Sequence, residues 1–184
     1  MKFIRFEDLV LKKGLATKND IDAAKRIQHQ TRQSISEILV KHSVLNTQQV
    51  IEIYEEMGYK SINVENLNAD SDLFELYDIE IDTLISNYVI PFKLEDNILH
   101  VVTHNPFNFP VFDLLKEIYN VKSIETYIDN KDAIDVKLKA MFPTYMGDEI
   151  ESVITEISED DIDDENLIED VNVSDSPLVR RIDF

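Results

Sequence analysis

The chain has 184 residues, no cysteine and a formal net charge of -19. These facts leave room for one domain or two small ones, exclude disulfide stapling, thiolate metal sites and thiol redox chemistry, and argue against nucleic-acid binding driven by phosphate counterion release. The charge is uneven: residues 1–147 carry 16 Lys plus Arg against 23 Asp plus Glu, whereas 148–184 carry 2 against 14, so the acidity is mainly a property of the tail.

A hydrophobic content of 43% suffices for a real core. The N-terminal MKFIRFEDLV lacks a signal peptide's apolar centre. No apolar run approaches the roughly 20 residues that span a bilayer. A soluble, cytoplasmic chain is expected, one that meets a membrane only through a partner.

Residues 5–28, RFEDLVLKKGLATKNDIDAAKRIQ, return in worn form at 34–57 as SISEILVKHSVLNTQQVIEIYEEM, at an offset of 29. Leu9, Val10 and Leu11 reappear as Ile38, Leu39 and Val40, and Ile21 as Val50. A repeated unit usually buries its apolar face against its copy, which predicts two helical hairpins packed together. In the first, Phe6, Leu9 and Val10 share one helical face. Lys12, Lys13 and Gly14 suit a helix end, with cations at the negative end of the dipole and a glycine able to take positive φ. Thr17 and Asp20 have capping-box spacing and open a helix over 18–29 with Ile21, Ala24 and Ile27 inward. In the second, Ile35, Ile38 and Leu39 point inward, Asn46 and Gln49 repeat the cap at the same repeat position, and Val50, Ile53 and Met57 continue the stripe.

From Gly58 the pattern changes. Residues 61–64 read as a short strand, and 70–86 as a helix with Leu73, Leu76, Tyr77, Ile81 and Leu84 mostly on one side. The runs 88–94 and 98–103 flank Glu95-Asp96-Asn97, whose Asp-Asn pair suits a tight antiparallel hairpin. Asn105-Pro106 ends the second strand, Pro110 opens a helix through Tyr119, 121–128 reads as a strand and 130–142 as a closing helix. The expected class is α+β: a helical subdomain at 1–58 packed on a small antiparallel or mixed α+β subdomain at 59–143. Residues 144–173 read as an acidic linker, with a helical turn or two expected over 149–157. The closing SDSPLVRRIDF, 174–184, reads as the start of a further domain.

No Gly-x-x-x-x-Gly-Lys-Ser/Thr loop is possible with glycines only at 14, 58 and 147, so no P-loop chemistry and no enzyme activity is expected of this chain. His100 and His104 fall on a strand and its following loop without a third ligand nearby in sequence, and no metal site is expected. Glu55-Glu56 and Asp160-Asp161 have no evident pocket to desolvate them for acid–base work. The acidic cluster at 159–165 lacks EF-hand alternation. A helix-turn-helix reading of the hairpins fails on charge, since Asp20 and Asp22 offset Lys18, Lys25 and Arg26 and the second copy is acidic at Glu52, Glu55 and Glu56.

The tandem 24-residue motifs, five residues apart, followed by YVIPFKLEDNILHVVTHNPFN, resemble the N-terminal MshEN domain of type II secretion and type IV pilus assembly ATPases. The resemblance rests on Arg5, Leu9, Val10, Gly14, Leu15, Ile21 and Gln28, with Phe6 beside Arg5. It implies a regulatory and docking domain that couples a homo-hexameric cytoplasmic motor to the cytoplasmic part of an inner-membrane platform protein. ATP and magnesium would be held only in a further domain of the parent. Some members bind cyclic di-GMP through the paired motifs, which implies a ligand site at Arg5, Phe6, Leu9, Gly14, Leu15 and Gln28. This sequence departs from the motif at Glu7, Ser36 and Ser43 in place of glycines, Ser34 in place of the second arginine, and Met57 in place of its glutamine. Serine cannot imitate a guanidinium fork, and a carboxylate at Glu7 repels phosphate. A sensor domain and a free-standing adaptor stand as the alternatives to docking.

Overall fold

The computed structural model describes residues 4–31 and 33–146. Of the linker expected at 144–173 only the first three residues fall within this range, in a 3-10 helix Pro143–Met146; the helical turn expected at 149–157 and the segment 174–184 lie outside the described residues.

The first half is four helices: α1 Phe6–Lys12, α2 Lys18–Thr31, α3 Ile35–Lys41 and α4 Thr47–Glu56. Thr17 and Asp20 satisfy each other's backbone amides at 2.8 and 3.2 Å ahead of α2, and Asn46 with Gln49 does the same ahead of α4 at 2.9 and 2.8 Å. Each box offsets two of the four amides that a helix start leaves without partners. Gly14 leaves α1 with φ +66°, and Ser43, at the same repeat position, leaves α3 with φ +58°. Their inward stripes, Phe6, Leu9, Val10, Ile21, Ala24, Ile38, Leu39, Val50, Ile53 and Tyr54, form one core.

The second half is a four-stranded mixed sheet with helices. Strand β1 is Lys60–Ser61, β2 Val89–Glu95, β3 Ile98–Thr103 and β4 Ser123–Ile128, in the order β1-β4-β3-β2. Strands β2 and β3 pair antiparallel, while β4 runs parallel to β3 and to β1. Asp96 and Asn97 both take positive φ, 51° and 63°, the geometry that a two-residue hairpin turn requires. The connection from β3 to β4 runs through α7, Phe109–Tyr119, with Pro110 in its first turn. Helix α8, Lys131–Met141, follows β4 and is capped by Asn130, whose side chain accepts from Ala133 N at 2.7 Å.

Two expectations change. The strand expected at 61–64 shrinks to β1, because Val64 turns into a 3-10 helix Val64–Asn66 whose first amide is taken by Asp129 Oδ2 at 2.8 Å. The helix expected at 70–86 is two helices, α5 Asp72–Glu75 and α6 Ile81–Asn87. Six carboxylates and no cation lie within 70–86, so like charges three and four residues apart oppose one continuous helix. Leu76, expected on the buried stripe, sits at the break and is 73% exposed.

The described residues belong to one compact unit, Met1–Met146, so its halves share packing. Ile128 at the end of β4 is buried in the hairpin core, and Phe107 packs against it. Phe107 meets Tyr54 and Tyr59 edge-on, with ring centroids 6.0 and 6.1 Å apart. Edge-to-face pairs of this kind contribute about 0.5–1.5 kcal/mol beyond area burial.

Candidate ligand cleft

Between the two halves lies a cleft of about 850 Å³, within the range of clefts that hold small-molecule ligands. The hairpins contribute Arg5, Phe6, Glu7, Gln28, Ser34 and Glu37 to its wall, and the other half contributes Tyr88, His104, Asn105, Asn108 and Lys131. Of the residues that the motif resemblance singles out, the structure brings Arg5, Phe6 and Gln28 to this cleft. Leu9 is 3% exposed in the hairpin core, Leu15 packs against that core, and Gly14 forms the turn after α1. Met57, at the repeat position of Gln28, also lines the cleft.

Arg5 precedes α1 as its N-cap residue, and its Nε and Nη2 both reach the Asp8 carboxylate at 3.2 Å. Ser34, 29 residues on, precedes α3 and closes a full capping box with Glu37: Ser34 Oγ accepts from Glu37 N at 3.2 Å, and Glu37 Oε2 accepts from Ser34 N at 3.1 Å. Comparison with the motif registers Ser34 as a lost arginine and misses this box, although Ser-x-x-Glu is its sequence signature. Beneath it, Tyr54 is buried and donates to Ser36 Oγ at 2.8 Å, with Ser34 Oγ 2.9 Å from the same atom. Burial raises the Tyr54 hydroxyl above its ordinary range, so it remains a protonated donor.

Glu37 is the centre of the cleft's electrostatics. Its side chain is 19% exposed; its Oε1 lies 2.8 Å from Lys131 Nζ and 3.3 Å from His104 Nε2. Burial opposes its ionisation, but hydrogen bonds from His104 and Lys131, with the Ser34 amide, outweigh burial and hold its carboxyl well below the usual range. Burial likewise opposes the Lys131 charge, and its hydrogen bond to Glu37 outweighs that and raises the ammonium above its ordinary value. The Lys131 ammonium also sits over the Tyr88 ring, 4.3 Å from the centroid. Tyr88 ends α6 in the left-handed region, φ +50°, an uncommon conformation for an aromatic residue. That backbone aims the ring at both Lys131 and His104, whose ring lies 5.5 Å away edge-on. His104 Nδ1 is buried without a hydrogen-bond partner. Partly buried charge, a left-handed aromatic and an unpartnered nitrogen therefore meet at one wall, a combination typical of functional sites.

Sequence reasoning misses this node because its members are far apart in the chain; the one available signal was the Ser34–Glu37 spacing. Asp160-Asp161 and the acidic cluster at 159–165 lie outside the described residues, and the described candidates His100, Glu55 and Glu56 lie away from this node. His100 Nδ1 is 3.4 Å from Glu125 Oε2, Glu55 accepts from Ser61 Oγ, and Glu56 pairs with Lys13 at 2.6 Å. Among the described residues no group of three or more His, Cys, Asp or Glu is placed to hold a metal, and no helix is long and apolar enough to cross a membrane.

Residues 57–147 match the MshEN domain family. The match begins where the second hairpin ends, so it falls on the α+β half. Three solved structures share the fold. MshE with cdg is 14% identical at a TM-score of 0.60, covering 74% of this chain and 98% of that one. The N-terminal domain of XpsE is 12% identical at 0.61, covering 73% and 92%. A second crystal form of the XpsE domain, I4122, is 14% identical at 0.52, covering 73% and 93%. These shares exceed the family match and take in part of the hairpin half as well. No curated protein sequence matches the chain.

Proposed function

Residues 57–147 are an MshEN domain, and on that premise we propose that the chain is a non-catalytic regulatory and docking domain of a type II secretion or type IV pilus assembly ATPase. In this reading it couples a homo-hexameric cytoplasmic motor to the cytoplasmic part of an inner-membrane platform protein. The observation that carries it is the family match, on a fold shared over 92% of the XpsE N-terminal domain. The hairpins and the sheet supply one compact body for docking, and this reading assigns ATP chemistry to a further domain of the parent. Deleting residues 1–143 from that parent is expected to leave ATP hydrolysis measurable while abolishing secretion or pilus assembly. Assembly at the wild-type rate would reject the docking role.

A second reading has its own support. Arg5, Phe6 and Gln28 come together at a cleft of nucleotide size, and the related MshE structure holds cdg. Read as cyclic di-GMP, that ligand would lie between the hairpins and the sheet half, and its binding would regulate the motor. Isothermal titration of the chain with cyclic di-GMP tests this; absence of heat up to millimolar ligand would reject it.

A further inference from the structure

The repeat offset pairs position 5 with 34 and position 8 with 37. In the first copy the carboxylate is Asp8 and its cation is Arg5, two residues of the same helix start, with nitrogens 3.2 Å from the carboxylate oxygens. In the second copy the carboxylate survives as Glu37, and the cation at 34 has become serine. The carboxylate nevertheless has a cation: Lys131, from the start of α8, at 2.8 Å. Ser34 and Lys131 hold opposite oxygens of the same carboxylate, Oε2 and Oε1. We propose that Lys131 takes the place of the second repeat's arginine, so that the cleft offers two cations, each braced by a carboxylate of one hairpin, to a ligand carrying two phosphate groups.

Geometry and chemistry support this beyond the repeat itself. Arg5 and Lys131 both line the same cleft, and the Lys131 side chain is 38% exposed despite its partners. An ammonium has three donors. One is spent on Glu37 and the Tyr88 face lies beneath the charge, which leaves donor capacity for an anion without breaking the brace. Glu37 then has the role of a positioning residue: it fixes the ammonium over Tyr88 and, with Ser34, anchors it to the start of α3. The cation arrives from the sheet half and not from the hairpin, so ligand binding would draw on both halves at once. The sequence departures at Ser34 and Met57 alone suggest half a site; the structure supplies the missing charge from Lys131, 94 residues beyond Glu37.

The inference rests on the cyclic-dinucleotide reading, and the test separates the two. The probe is cyclic di-GMP, titrated calorimetrically into the full chain at low and at moderate salt. Lys131→Gln is expected to weaken binding about tenfold or more, the loss of one charge-assisted hydrogen bond, and to flatten the dependence of log affinity on log salt. Lys131→Arg is expected to keep both affinity and salt slope. Because Lys131→Gln also disturbs Glu37, a second measurement uses the unaltered protein: limited acetylation read by mass spectrometry, with modification of Lys131 falling several-fold at saturating ligand. Binding by the wild type with an unchanged Lys131→Gln affinity and no protection of Lys131 would overturn the assignment and leave the dinucleotide reading standing. No binding by the wild type would overturn both.

Discussion

In the first hairpin, Glu7 on α1 reaches Lys25 on α2 at 3.6 Å, a long ion pair whose lysine is exposed. At the positions 29 residues later stand Ser36 and Tyr54, joined by a 2.8 Å hydrogen bond and both buried. The same link between two helices is thus made once by screened charge and once by a neutral bond in the interior. A neutral pair carries no ionic desolvation cost, so it can sit where the sheet half presses on the hairpins. The first copy keeps its arginine and its glycine turn; the second, whose α4 packs against β1, exchanges both for serine and borrows its cation from α8.

The contrast can be broken most forcefully at Glu37. Glu37→Ala removes the capping box and leaves Lys131 and His104 facing a lost carboxylate, and we expect a loss of about 2–4 kcal/mol in urea unfolding. A loss under about 1 kcal/mol would mean that the node does not hold the halves together. The same residue sets an acid dependence. Its folded-state pKa lies below its ordinary value of 4.5, so its contribution is fully present above that value and disappears as pH falls through and below it. The stability gap between wild type and Glu37→Gln should therefore narrow as pH is lowered from about 6 to about 3. A gap independent of pH would show that charge is not what Glu37 contributes.

Tyr54→Phe comes next, at about 1–2 kcal/mol, because it removes the donor to the buried Ser36 hydroxyl, which keeps only Ser34 as a partner. At the turns, Gly14→Ala should cost about 1 kcal/mol, and Ser43→Gly should gain about 0.5–1 kcal/mol, since both backbones have positive φ and only one has the residue suited to it. Thermal melts of the two variants moving in the same direction would contradict the repeat assignment. Smallest of all, Lys25→Ala should change stability by no more than about 0.5 kcal/mol. A cost equal to that of Tyr54→Phe would erase the distinction between the copies.

Much of the fold was legible where the determinants are local. The boxes at Thr17–Asp20 and Asn46–Gln49, the Asp96–Asn97 turn and the Pro110 helix start each lie within a few residues and act through the backbone they belong to. The break at residues 76–80 is not legible because the apolar stripe alone suggests one helix, whereas in the molecule the carboxylates prevail. For the cleft, periodicity already marked Leu9 as core, and core is where it lies. Motif resemblance implies a ligand role for Leu9 as well, because a motif does not separate core positions from ligand positions. Arg5 and Gln28 could be named because a repeat fixes their mutual spacing. Lys131, Tyr88 and His104 could not, since nothing local relates them to Glu37.

Ile128, buried in the hairpin core from the last position of β4, ties the cooperativity of unfolding to the sheet. It enters that core from a strand whose neighbour β1 pairs at Lys60 with Tyr127, so both the hairpin core and the sheet depend on one long-range closure. Losing the sheet uncovers Tyr54 and Phe107 together with Ile128, and the hairpins alone would expose an apolar face. Helical signal and tyrosine fluorescence should therefore melt at one midpoint, in a single all-or-none transition. Two separated midpoints would instead mean that the hairpins survive without the sheet.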